Sequence, residues 1–123
     1  MMSELTVGPE WVREQMKRGE AVFFVEVRHA GDWDLAVQKA RGALRLTSDD
    51  GQRQLDRIPR EGTVVVYSTA PNDRPAEALV MLLSGAGYSG ARLLAGGFKA
   101  YLSAGLPVEE IGEGSKMQRL RGL

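Results

Sequence analysis

Apolar residues fall into two kinds of run along the chain, and their alternation predicts the order of elements. Ala21 to Val27 (AVFFVEV) and Thr63 to Tyr67 (TVVVY) are β-branched and aromatic with little polar alternation. That pattern predicts strands covered on both faces within a parallel sheet. Shorter runs at Leu5 to Val7, Ala43 to Leu46 and Ala91 to Leu94 predict three more strands. Between them the apolar positions recur at helical spacing. Val12 and Met16 form the inner pair of a helix opened by Gly8-Pro9 and closed by Gly19, and Ala76, Leu79, Val80 and Leu83 make the inner stripe of one that begins at Pro75 and stops at Gly85 and Gly87. Gly31 to Val37 predicts a short helix, and Ser48 to Arg57 a helix capped by Thr47 or Ser48 with Leu55 facing inward. Gly97 to Ala104 predicts a last helix, ended by Gly105 and Pro107.

The resulting order, β-α-β-α-β-α-β-α-β-α, implies right-handed crossovers and an α/β fold: one domain over residues 1–110, with a central, mostly parallel five-stranded sheet flanked by helices on both faces. In such sheets ligands sit beyond the carboxyl ends of the strands. The remaining tail, residues 111–123, carries two glycines among its first residues and three basic side chains, so it frays or docks through Met117 and Leu120 alone.

Composition narrows the chemistry. The 123 residues include no cysteine and one histidine, His29. Disulfides, thiolate zinc sites, iron–sulfur clusters and thiolate nucleophiles are thereby excluded, and no cofactor or metal is expected. Sixteen basic side chains balance 16 acidic ones. A net charge of zero gathers neither nucleic acid nor anionic lipid, so neither is an expected partner. The N-terminus carries no apolar targeting run and no stretch is long enough to span a bilayer, which gives the expectation of a cytoplasmic protein.

The segment from Thr63 to Ala86 reads as a buried strand, then Ser68-Thr69-Ala70-Pro71-Asn72-Asp73-Arg74, then a helix. A loop passing from a strand's carboxyl end into a helix N-terminus offers backbone N–H groups and a positive dipole end to an anion, and Arg74 adds a planar cation. The same residues also read as a structural turn in which Asp73 caps the helix and Arg74 is solvated.

Several motifs, in order, resemble the rhodanese (sulfurtransferase) family. Phe24-Val25-Glu26-Val27-Arg28 is similar to the family's strand ending in an Asp-Val-Arg-like motif, and Asp32-Trp33 to the acidic-aromatic pair after it. Gly42-Ala43 is similar to the Pro-Gly-Ala step, and Val64-Val65-Val66-Tyr67 to the strand that delivers the active-site loop. Leu94-Ala95-Gly96-Gly97-Phe98-Lys99-Ala100-Tyr101 resembles the Leu-Glu-Gly-Gly-Phe-x-Ala-Trp signature, followed by Ala104-Gly105-Leu106-Pro107-Val108. Together these motifs span residues 5–108.

The resemblance implies a cysteine as first residue of the loop, which carries sulfur as a persulfide from a donor such as thiosulfate to an acceptor. Here that position is Ser68. A hydroxyl is a poor nucleophile without an adjacent base, and oxygen cannot carry a persulfide. Arg74, sixth after Ser68, also resembles the Cys-x5-Arg loop of cell-cycle phosphatases on the same fold, a length that suits a phosphate-sized oxyanion, but that mechanism too begins with a thiolate. Pro71-Asn72 resembles a subset of the family whose loops are rigid.

Further departures from the family pattern are Glu26 for the strand Asp, Ala95 for the Glu before the paired glycines, and Gln38 to Ala43 for the Gly-His-Ile-Pro-Gly-Ala segment. These fit a domain that has drifted from catalysis better than a single artificial Cys-to-Ser exchange. The sequence therefore implies a non-catalytic rhodanese-like module binding a small oxyanion (sulfate, thiosulfate or phosphate) or a protein partner through Ser68, Thr69, Ala70, Pro71, Asn72, Asp73 and Arg74, with Arg28 and His29 behind them. The alternative is a sulfurtransferase, or Cys-x5-Arg phosphatase-like enzyme, in which Ser68 replaces the natural cysteine.

Three other readings remain open. A Ser68, His29, Asp32 triad can be drawn, without the Gly-x-Ser-x-Gly elbow of serine hydrolases. Asp49-Asp50 reads as a charged first helical turn rather than a Mg2+ site. Trp11, Trp33 and Phe98 read either as packing residues or as an apolar interaction surface.

Overall fold

The computed structural model describes residues 2–28, 38–47, 52–69 and 73–110. Two of the five expected strands run at the centre of the sheet: β2 (Val22–Arg28) and β5 (Thr63–Ser68). Outside them lie β4 (Leu44–Thr47) on one side, and β6 (Ala91–Leu94) with β1 (Thr6–Val7) on the other. The order is β1-β6-β5-β2-β4 with every pairing parallel, and Val25 aligns with both Leu44 and Val66. The unalternating sequence of β2 and β5 follows from this placement, since both their faces are covered.

Successive side chains of a strand point to opposite faces, and each face has its own core. Val25, Val27, Val64 and Val66 meet Ala76, Leu79, Val80 and Leu83 of α3 (Arg74–Gly85), with Ile58 beyond them. Phe24, Val65, Tyr67 and Leu94 meet Val12 of α2 (Pro9–Lys17) and Tyr101 of α4 (Gly97–Ser103). Met16 and Leu55 pack as partly buried residues on opposite faces, as their spacing predicts. Gly19 closes α2 with φ 83°, its N–H bonded to the Met16 carbonyl and that of Glu20 to Gln15, the paired bonds of a Schellman ending.

The structure corrects four details. Leu5 ends a four-residue helical turn, α1 (Met2–Leu5), so the first strand starts only at Thr6. The described part of the Ser48 to Arg57 helix is a 3₁₀ helix, Gln52–Arg57, followed by an i to i+3 bond from Ile58 N–H to the Leu55 carbonyl; Pro59 then bars any continuation. A second sheet went unpredicted. In it β3 (Gln38–Ala40) pairs antiparallel with β7 (Val108–Glu110), and three-residue strands are too short to print a period. Finally, Asp73 does not cap its own helix. The predicted helix at Gly31 to Val37 lies outside the described residues, as does the tail at 111–123.

Candidate functional site

Strand β5 delivers Ser68 to the carboxyl end of the sheet, level with Val27 of β2. Ser68 is 1% exposed, and strand alternation after Val64 and Val66 places it on the α3 face. The next residue, Thr69, leaves the sheet with its N–H still bonded to the Val27 carbonyl at 3.2 Å. Ala70, Pro71 and Asn72 lie outside the described residues.

The chain returns at Asp73, in the N-cap position of α3, with φ −91° and ψ 5°. An N-cap Asp usually accepts from its own first turn. This one turns outward: its Oδ2 accepts the N–H of Gly96, 3.2 Å away, in the turn between β6 and α4. Only the Asp73 carbonyl serves α3, accepting from Glu77 N–H at 2.8 Å.

The opposing turn is built from glycines for a steric reason. Gly96 and Gly97 hold φ 84° and 63°. A Cβ on Gly97 would lie 2.5 Å from the Ser68 carbonyl oxygen and 3.6 Å from Asp73 Oδ1. The paired glycines thus let the start of α4 touch the base of the loop at both its ends, Ser68 and Asp73.

Arg74 opens α3 and is exposed. It lines an open depression on the outer face of the helix with Glu77, Ala78 and Met81, side chains at i+3, i+4 and i+7 that share one stripe. Arg28, expected behind the loop, is 1% exposed, and its Nη1 donates to Glu26 Oε2 at 2.8 Å on the side of the sheet opposite α3. His29, Asp32, Trp33, Asp49 and Asp50 lie outside the described residues, so the structure describes no geometry for the drawn triad or for the acidic pair. Trp11 packs against the core under α2, and Phe98 stacks on Tyr67 at 5.5 Å between ring centroids. Both act as packing residues here.

Sequence reasoning missed a buried polar cluster on this second face. Glu26, fully buried, accepts from Arg28, from Arg45 Nε at 3.0 Å and from the Tyr67 hydroxyl at 2.5 Å. The Tyr67 oxygen in turn accepts the N–H of Ala40 at 2.9 Å, tying β3 to the main sheet. Burial, and secondly the Glu26 charge, push the Tyr67 hydroxyl far above its ordinary pKa. A lone carboxylate inside AVFFVEV was the available signal, because a charge there requires partners.

These motifs now have a setting that can be compared with known proteins. Residues 8–104 match the model of the rhodanese-like domain, and the chain belongs to that family. No curated protein sequence matches it significantly. Among solved structures, a rhodanese-like domain from Anabaena sp. is similar at 23% identity and TM-score 0.70, covering 90% of this chain and 83% of that one. A full-length protein from Lactobacillus plantarum shares 24% identity, with TM-score 0.71 and coverage of 88% and 89%. A rhodanese-related protein from Thermoplasma volcanium shares 17%, with TM-score 0.67 and coverage of 85% and 96%. At such identities the likeness carries the fold alone. Among the described residues, no helix is long and apolar enough to cross a membrane.

Proposed function

We propose that this rhodanese-like domain binds a small oxyanion such as sulfate, thiosulfate or phosphate in the Ser68 to Arg74 loop and does not turn it over. One observation carries the reading: the buried first residue of that loop, where the family resemblance calls for a sulfur nucleophile, is a serine, in a chain that contains no cysteine. A serine oxygen accepts or donates a hydrogen bond but cannot hold a transferable sulfur. The loop still runs into a helix start whose N-cap carboxylate is directed elsewhere, with Arg74 at its first position.

Drift from catalysis, rather than a single exchange of Cys for Ser, is supported by Glu26. The longer acid in place of the family's Asp is bonded to three partners from β2, β4 and β5. The test measures sulfur transfer from thiosulfate to cyanide by the protein and by Ser68→Cys, together with thermal midpoints in sulfate. The expected result is no transfer by either protein and a midpoint that rises with sulfate, because a ligand held only by the folded state stabilises it. Turnover by the unaltered chain would overturn the reading. Activity appearing only in Ser68→Cys would favour the enzyme alternative, and a midpoint indifferent to sulfate would favour a protein partner.

A further inference from the structure

Two tyrosine hydroxyls hold the small sheet against the main one. Tyr67 of β5 accepts the N–H of Ala40 in β3 at 2.9 Å, and Tyr101 of α4 donates to the carbonyl of Pro107, immediately before β7. Both rings are fully buried, and they stack with centroids 6.0 Å apart and planes 21° from parallel. Each strand of the small sheet is thus tied to one member of a single aromatic pair. Other bonds of this sheet stay within it and the turn after β3: Gly42 N–H to Glu109 Oε1 at 2.8 Å and Gln38 Nε2 to Glu110 Oε2 at 3.1 Å, both exposed. Three-residue strands held partly by exposed bonds belong to the regions of a fold that open before its core does.

Tyr67 is also the residue that carries Ser68. It stands level with Glu26 in the ladder, Ser68 stands level with Val27, and the Thr69 N–H bonds to the Val27 carbonyl. When β3 withdraws, the Tyr67 oxygen loses the Ala40 N–H while its own O–H stays on Glu26 Oε1. A buried hydroxyl is then short of a donor, and the imbalance falls on the backbone one residue before Ser68. We propose that the β3–β7 sheet is a clasp on the candidate site, with Tyr67 as the positioning residue: closed, it holds Ser68 and Thr69 in the ladder, and released, it lets them leave it. The inference does not rest on the oxyanion reading, since it concerns how the start of the loop is held, whatever the loop binds. Displacement of β7 acts on Ser68 by way of Tyr67.

The experiment is amide relaxation dispersion on the full chain and on Glu109→Ala, which removes the acceptor of the Gly42 N–H without touching β5. The expected result is one open population, shared by the Ala40, Ser68 and Thr69 amides, that rises roughly fivefold in the variant, as loss of one hydrogen bond predicts. The Val64 amide, bonded to the Gly90 carbonyl at the other end of β5, should stay flat. In a Tyr67→Phe background, Glu109→Ala should still change Ala40 but no longer change Ser68 and Thr69. Ser68 and Thr69 amides that do not follow Ala40 in Glu109→Ala would overturn the clasp even if the Tyr67 variant fails to fold. An Ala40 amide that stays flat there, showing that β7 does not release, would overturn it equally, and so would an unchanged response of Ser68 and Thr69 in the Tyr67→Phe background.

Discussion

The Tyr67 hydroxyl donates to Glu26 Oε1 at 2.5 Å, joining the two central strands through their side chains as well as their backbones. The two residues stand level in the ladder between β2 and β5, and the same hydroxyl accepts the Ala40 N–H. Removing the hydroxyl in Tyr67→Phe leaves a buried carboxylate short of a donor and a backbone N–H short of an acceptor. Each orphaned group costs about 1–3 kcal/mol, so the variant should lose about 2–4 kcal/mol. Glu26→Gln, which leaves the Arg28 and Arg45 guanidinium groups facing a neutral side chain, should lose about 3–5 kcal/mol. Urea unfolding midpoints check both, and a loss under about 0.5 kcal/mol for Tyr67→Phe would mean the bridge does not exist in solution.

Alkali should destabilise the protein through Tyr67 and Tyr101, whose rings stack with centroids 6.0 Å apart. Burial and the neighbouring Glu26 charge raise Tyr67 above its ordinary value of 10.0, and burial pushes Tyr101 up to about 12. Between the unfolded and folded values the native state holds protons that the unfolded chain releases. The stability these groups contribute is therefore complete below pH 10 and falls as pH rises beyond it. Unfolding free energy followed from pH 8 to 12 should drop above pH 10, and the drop should be shallower in Tyr67→Phe. Parallel curves for the two proteins would contradict the assignment.

The two buried strands and the α3 stripe were legible in the sequence because their pattern repeats over enough residues to have a period. The β3 and β7 strands were not, since Gln38 to Ala40 and Val108 to Glu110 are short, largely polar and paired across separations of 68 to 72 residues (Ala40 with Val108, Gln38 with Glu110). The start of the candidate site was legible as far as Ser68, which simply ends a strand. The direction of Asp73 was not. An acid in an N-cap position predicts a local bond, and only the tertiary approach of the Gly96–Gly97 turn offers it a different N–H.

That approach makes Gly97 less replaceable than other glycines of similar backbone. Gly97→Ala must strain a φ of 63° and place a methyl 2.5 Å from the Ser68 carbonyl oxygen, whereas at Gly42, φ 78°, a Cβ would meet nothing within 4 Å. Gly42→Ala should cost about 1 kcal/mol from backbone strain alone. Gly97→Ala should cost about 3 kcal/mol, through the added displacement of the loop base. Thermal midpoints of the two variants decide it. Equal losses would show that α4 does not pack against Ser68 as closely as described.

The small sheet should respond to acid by a different route. Glu109 Oε1 accepts the Gly42 N–H at 2.8 Å, and this bond, more than the Lys39 ammonium nearby, holds its carboxyl below the ordinary 4.5. A depressed folded value means that the bond stabilises the β3–β7 pairing above pH 4.5 and ceases to do so as pH falls through the folded value. The Gly42 amide resonance should therefore titrate with a midpoint below 4.5, and Glu109→Gln should remove that titration. Lys39→Met should move the midpoint upward only slightly, because the ammonium lies 3.6 Å away at a partly exposed position where solvent screens it. A midpoint that rose to 4.5 in Lys39→Met would reverse the ranking and make the ion pair, not the Gly42 bond, the cause of the shift.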